Sequence, residues 1–134
     1  MIATAILQTQ EGFDEVKSIL TSLKNEEPRV SYRCPLRQLK NTLVRTKTSS
    51  DAFQMLLLQR NQHEYEILLT SGYISRKCKT FVNELTHFIE SFEVARLFQI
   101  PMKRYRMVYF IREAQSIKDH MDDLLDAIIE NQLL

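Results

Sequence analysis

The chain has 134 residues, of which 44% are hydrophobic and 26% are charged, and its formal net charge is +1. This is the length of one domain with a sizeable core, and the charge alone indicates no class of partner. Only two glycines and three prolines occur, which argues against sheets and long loops, because both use these residues at turns. We therefore expect an all-α protein, with a single domain over residues 1–134 that could belong to a larger protein.

The sequence shows no sign of export or membrane insertion. The N-terminal residues lack the positive start and the longer apolar run of a signal peptide. No stretch approaches 18 uninterrupted apolar residues, so no membrane span is expected. Cys34 and Cys78 lie far apart without metal-ligand spacing, and a disulfide is not expected. These features favour an intracellular protein, in the cytoplasm or the nucleus.

The first segment predicts a helix from Ile2 to about Lys24, because apolar residues recur at steps of three and four, with Thr9 in the one gap. These apolar residues are Ile2, Ile6, Phe13, Val16, Leu20 and Leu23. Gly12 costs this helix about 1 kcal/mol relative to alanine and suggests a bend. Pro28 then disfavours helix at the residue before it, so the helix should end there.

The next stretch, from residue 29 to residue 50, is basic and polar. Its six basic residues have no acidic residue between them: Arg29, Arg33, Arg37, Lys40, Arg45 and Lys47. Pro35 suits the first turn of a helix, and Leu36, Leu39 and Leu43 share one face. This pattern predicts a short second helix from about Pro35 to Arg45, followed by a polar connection from Thr46 to Ser50.

Ser50 or Asp51 would cap a third helix over about residues 53–71. Leu56, Leu57 and Leu58 give this helix an apolar belt wider than one neighbour needs. A continuous helix from residue 53 to residue 98 would be about 65 to 70 Å long, which is too long for a compact domain of this size. We therefore expect a break or kink near Gly72.

The most regular apolar seam steps by three and four from Ile67 to Ala95. Its residues are Ile67, Ser71, Ile74, Cys78, Phe81, Leu85, Phe88, Phe92 and Ala95. It predicts a fourth helix from about Ile74 to Phe98, ended by Pro101, with Cys78 as a buried thiol. A last helix repeats the pattern at Met107, Phe110, Ala114, Ile117, Met121, Leu124 and Ile128.

Four long helices and one short helix with narrow seams predict an antiparallel helical bundle. Sequence motifs typical of enzymes are not found, since the chain has no glycine-rich phosphate loop and no nucleophile elbow. Glu84 and His87 have the Glu-x-x-His spacing of di-iron bundles, but neither His63 nor His120 completes a second such motif. We expect no cofactor and no metal, and the protein is not expected to be an enzyme.

Charge is polarised along the chain, because the acidic residues concentrate after Glu113, on the expected exposed face of the last helix. The basic and acidic segments could pair with each other, within the bundle or between copies. The favoured function is a non-catalytic protein–protein interaction module (an adaptor, scaffold or assembly domain) that docks another protein, or a second copy as a homodimer, through helix–helix contacts. The alternative is a domain that binds nucleic acid or an anionic surface through residues 29–47. The predicted partner-binding residues are Arg29, Arg33, Arg37, Lys40, Arg45, Lys47, Leu56, Leu57 and Leu58.

Overall fold

A computed structural model describes residues 2–26, 33–59, 65–93 and 100–130, and within these ranges the chain forms four α-helices and no strands. The helices are α1 (Ile2–Asn25), α2 (Arg33–Gln59), α3 (Tyr65–Glu93) and α4 (Ile100–Glu130). The prediction of an all-α helical bundle is confirmed. The additional short helix was wrong, because the predicted second helix and the first residues of the predicted third helix form the single helix α2, whereas residues 65–71 belong to α3.

The four helices pack as a ring in which α1 contacts α2 and α4, and α3 contacts the same two helices. Diagonal pairs are therefore α1 with α3 and α2 with α4. Contacts across α1 and α4 run in opposite directions, since Gln10 meets Asp122 whereas Lys17 meets Gln115. In each of the other three packed pairs, residues later in one helix likewise meet residues earlier in the other. The bundle is therefore antiparallel throughout.

The predicted seams form the core. Every predicted seam residue of α1 and α4 is buried, and so is the α3 seam from Ile67 to Phe88, including the thiol of Cys78. The side chain of Phe92 and the residue Ala95 lie outside what the structure describes. The spacing of apolar residues by three and four positions thus identified the buried faces of these helices correctly, because residues at this spacing lie on one side of a helix.

Aromatic rings connect the helices across the centre of the bundle. Phe13 of α1 and Phe81 of α3 meet edge to face, with their centroids 5.3 Å apart. Phe110 of α4 lies 6.0 Å from Phe81 and 5.2 Å from Phe88, again measured between centroids. Because α1 and α3 are diagonal to each other, these rings fill the space that no adjacent helix pair closes.

The predicted polar connection at residues 46–50 was wrong, because α2 passes through it without interruption. Hydroxyl groups explain this continuity. Thr46 donates a hydrogen bond to the carbonyl of Thr42 (2.7 Å), Thr48 to that of Val44 (3.0 Å) and Ser49 to that of Arg45 (3.1 Å). The short polar side chains are thereby satisfied by the preceding helical turn.

The expected break near Gly72 was also wrong, since α3 is continuous through it. α2 ends at Gln59 and α3 begins at Tyr65, so the division falls earlier in the chain, around residues 60–64, which are not among those described. Pro101 does not end α3. Its backbone lies in the first turn of α4, where the missing N–H of proline has no helical partner to lose.

Candidate functional site

The side of α2 that faces away from α1 carries a continuous stripe of exposed side chains, which we call the α2 outer face, and two of its members, Lys47 and Asp51, also border α3. Its members recur at steps of three and four: Arg33, Arg37, Lys40, Val44, Lys47, Asp51, Met55 and Leu58. The first five turns are dominated by basic groups, and the last turns are apolar. The face is therefore cationic at one end and apolar at the other.

The structure places the predicted basic residues in three groups. Arg33, Arg37, Lys40 and Lys47 are exposed on the α2 outer face. Arg45 turns toward α1 instead, where its Nη2 lies 3.0 Å from the carboxylate of Glu15. Arg29 lies outside the described residues. The α2 outer face thus retains four of the predicted cations.

Three consecutive leucines have three different environments, because successive helical residues point 100° apart. Leu57 belongs to the core, and its proposed role in partner binding was wrong for that reason. Leu56 is half-buried and packs against the core. Leu58 is 73% exposed at the end of the α2 outer face. The predicted apolar belt therefore reduces to one outward leucine.

Sequence reasoning missed two exposed apolar side chains that share this face. Val44 is 66% exposed and Met55 is 59% exposed. Met55 lies three residues before Leu58, so these two side chains are neighbours on the helix surface. The spacing of seven that links Val44, Asp51 and Leu58 could have placed them on one stripe, had residues 33–59 been taken as one helix.

A second exposed stripe runs along α4, diagonally opposite to α2, and we call it the α4 outer face. Its members are Tyr105, Tyr109, Arg112, Ser116, Asp119, Asp123, Asp126 and Glu130. All except the half-buried Ser116 are exposed. The expected exposed position of the acidic residues is confirmed for these four carboxylates.

Other charges of α4 serve the contact with α1. Asp122 accepts a hydrogen bond from Gln10 Nε2 (2.6 Å), and Lys118 pairs with Asp14. Lys17 donates to Gln115. These polar bonds lie between the two helices, so the acidic groups that remain outward are those of the α4 outer face.

Two open grooves lie between neighbouring helices. One, of about 280 Å³, is bounded by Tyr73, Lys77, Glu84, Tyr109 and Glu113 between α3 and α4. The tyrosine hydroxyl of Tyr109 donates to Glu84 (3.2 Å), which occupies that carboxylate. The other, of about 320 Å³, lies between α1 and α2 beside the Arg45–Glu15 pair. The wall of the first groove is mostly apolar, and that of the second is about equally polar and apolar.

The Glu-x-x-His fragment does not gather further ligands in the described ranges. The Glu84 carboxylate is bonded by Tyr109, while His87 is exposed beside Glu90, with 3.9 Å between Nδ1 and Oε2. Among the residues described, no three His, Cys, Asp or Glu side chains are grouped as metal ligands would be. Within the same ranges, none of the helices has the apolar length that crossing a bilayer requires.

No protein-family model, curated protein or solved structure matches this chain.

Proposed function

We propose that the protein is a non-catalytic protein–protein interaction module, an adaptor, scaffold or assembly domain, in which the α2 outer face docks a helix of a partner protein. The observation that carries this proposal is the exposure of Met55 and Leu58 on the same helical stripe as the cations. Burying a leucine or methionine side chain stabilises a complex by about 1.5 to 3 kcal/mol. These two neighbouring apolar side chains can thus serve as anchors within a larger helix-on-helix contact.

The cations on the same stripe would determine which partner binds and in which direction. Arg37 and Lys47 project from the half of α2 that lacks exposed apolar groups other than Val44. Charges at the rim of an interface mainly control orientation and association rate, whereas apolar anchors control how long the complex lasts. The preferred partner surface is therefore apolar at one end and acidic at the other.

The two free thiols support a reducing working environment, the cytoplasm or the nucleus. Cys34 is exposed and Cys78 is buried, and neither is bonded to the other. Exposed thiols persist in reducing compartments and are prone to pairing outside them.

Site-specific photo-crosslinking tests the proposal. A photoreactive amino acid replaces Met55 in the α2 outer face, and the matched control replaces Thr86, an exposed residue of α3. We expect discrete protein adducts from position 55 in extract of the source cell, and none of the same size from position 86. A Leu58→Lys substitution in the crosslinking chain should remove these adducts, because it places a charge among the apolar anchors. Equal adducts from both positions would contradict the proposal.

Leu58→Lys also separates the proposal from binding of nucleic acid or an anionic surface through the basic half of α2. The substitution adds a positive charge to the stripe, so phosphate binding would stay equal or rise. Fluorescence anisotropy with labelled DNA and RNA at low ionic strength measures this directly. The alternative function would be favoured if nucleic-acid binding survives Leu58→Lys and the protein adducts are also unchanged by this substitution.

A further inference from the structure

We propose that the partner of the α2 outer face is the α4 outer face of a second copy of this chain, with the two helices antiparallel. This inference rests on the proposed function and specifies its partner. It follows from three properties of the two faces, namely their spacing, their order of charges and their positions in the bundle.

The spacing of the two faces matches. The α2 outer face extends from residue 33 to residue 58, and the α4 outer face extends from residue 105 to residue 130. Each covers 25 helical steps, or about 38 Å at 1.5 Å per residue. Both advance by steps of three and four residues, which is close to the period with which two helices can pack along a common seam.

The charges match in an antiparallel register. When Arg33 is set opposite Glu130, Arg37 faces Asp126 and Lys40 faces Asp123. The same register brings Asp51, the one acidic group of the α2 outer face, opposite Arg112, the one basic group of the α4 outer face. Four pairs of opposite charge therefore result from a single alignment, including a pair in which the usual signs are reversed.

The apolar ends also meet in this register. Leu58 falls opposite Tyr105, which is 85% exposed, and Met55 falls beside Tyr109. Tyrosine combines a large apolar surface with a polar tip, so its exposed rings suit a contact with aliphatic side chains. Two positions are not matched: Val44 falls opposite Asp119, and Lys47 falls opposite the half-buried Ser116.

A parallel alignment of the same faces is unfavourable. It would set Leu58 against Glu130 and Asp51 against Asp123, which places an apolar anchor on a carboxylate and two like charges together. Like-charge juxtaposition across an interface suppresses that arrangement. The order of side chains thus specifies direction as well as partner.

The positions of the faces determine what such contacts build. α2 and α4 are diagonal and do not pack against each other, so we expect each face to bind a different copy. The contact is heterologous, and each added copy presents a new face to the next one. Within one bundle α2 and α4 run in the same direction, so an antiparallel contact reverses successive copies. The expected product is an open-ended chain of bundles that alternate in direction.

Reciprocal charge reversal in purified protein tests the inference. The α2 variant carries Arg37→Glu and Lys40→Glu, and the α4 variant carries Asp123→Lys and Asp126→Arg. A matched control carries Asn83→Lys and Glu90→Lys, two exposed residues of α3 outside both faces. Circular dichroism and thermal melting establish that each variant is folded, and sedimentation velocity over a concentration series measures association.

We expect the weight-average mass of the wild type to rise with concentration beyond that of two copies, and to fall as salt is added. Each variant alone should associate at least about tenfold more weakly, an equal mixture of the two should recover assembly, and the α3 control should behave as wild type. A wild type that stays monomeric overturns the inference, and so does association that is unaffected by the α4 variant. If Met55 adducts to a different protein persist in extract while the purified chain is monomeric, the proposed function stands and this inference fails.

Discussion

Gly12 of α1 lies directly against Thr46 of α2. A Cβ atom built on Gly12 would be 2.9 Å from Thr46 Cβ and closer still to Thr46 Oγ1. Thr46 cannot easily yield, because its side chain is buried and its hydroxyl donates to the Thr42 carbonyl at 2.7 Å. The absence of a side chain at Gly12 therefore allows α1 and α2 to approach closely at this level.

Gly12→Ala is expected to lower the free energy of unfolding by about 1 to 2 kcal/mol, because the overlap with Thr46 exceeds the gain in helix propensity. Urea unfolding followed by circular dichroism measures the change. Adding Thr46→Ala to this variant should recover part of the loss, since it removes the hydroxyl and one methyl group from the contact.

Gly72→Ala is the matched control for this prediction. The nearest atom to a Cβ on Gly72 is Arg76 Nη1 at 3.7 Å, an ordinary van der Waals distance. Alanine there should raise the free energy of unfolding by about 0.4 to 1 kcal/mol through helix propensity and a less flexible unfolded chain. Two stabilising alanine substitutions would show that α1 and α2 do not meet closely at Gly12.

The stability of the bundle should depend on the Cys78 thiol at alkaline pH. Burial raises the pKa of Cys78 from 9.0 to about 11, with a smaller raising effect from the Asp51 charge and a lowering effect from a hydrogen bond with Ser50. A raised folded pKa means that the protonated thiol favours the native state. Its contribution is complete below pH 9 and is lost as the pH rises through 11, by about 2 to 3 kcal/mol in all.

Cys78→Ala isolates this contribution, because the lysines and tyrosines titrate alike in both proteins. Between about pH 8 and about pH 10.5, the free energy of unfolding of the wild type should fall relative to that of Cys78→Ala. Urea unfolding in a Cys34→Ser background measures it without modification of the exposed thiol. A difference that is constant with pH would contradict the assigned pKa.

Phe81→Ala should lower the free energy of unfolding by about 3 to 5 kcal/mol. Phe81 is buried and contacts rings from two other helices, Phe13 and Phe110. A double-mutant cycle of Phe13→Leu with Phe81→Leu should give a coupling of about 0.5 to 1.5 kcal/mol, the usual size for an edge-to-face pair. Tyr105→Ala, at an exposed aromatic position, should stay within about 0.5 kcal/mol of wild type.

The hydrogen bond between Glu15 and Thr42 should contribute more to the free energy of unfolding than the ion pair between Glu15 and Arg45. The buried Thr42 hydroxyl donates to Glu15 Oε1 at 3.0 Å, so Glu15→Ala should cost about 1 kcal/mol by leaving that hydroxyl without its acceptor. Arg45 donates to both Glu15 oxygens, but its side chain is 68% exposed. Arg45→Ala should therefore cost less than about 0.5 kcal/mol by urea unfolding.

The core was predictable from the sequence wherever apolar residues themselves carried the helical period. Phe81, Leu85 and Phe88 show the stripe of α3 without ambiguity, and their burial is confirmed. The limits of the helices were less predictable. A proline such as Pro101 is compatible both with the end of one helix and with the first turn of the next. Gly72 weakens a helix without ending it.

The continuity of α2 could not be predicted from residue type. Thr42, Thr46 and Ser50 continue the steps of Leu39 and Leu43 into the core, yet their polarity is typical of a connection. Their partners in the fold make them interior residues. Thr46 donates to the preceding Thr42 carbonyl and lies against Gly12, Thr42 donates to Glu15, and Ser50 bonds the Cys78 thiol. The outer face escaped prediction for the same reason, because Val44 and Met55 appear as one stripe only on a single helix.

The ring of helix contacts also has a consequence for the order in which the chain folds. The pair Gln54 and Ser75, between α2 and α3, is separated by 21 residues, whereas Gln10 and Asp122, between α1 and α4, are separated by 112. Closing the longer loop costs about 1.5 kcal/mol more chain entropy. Pairs of successive helices can therefore form early and locally. We therefore expect the contact of α1 with α4 to form after the pairs of successive helices, which bring its two sides together.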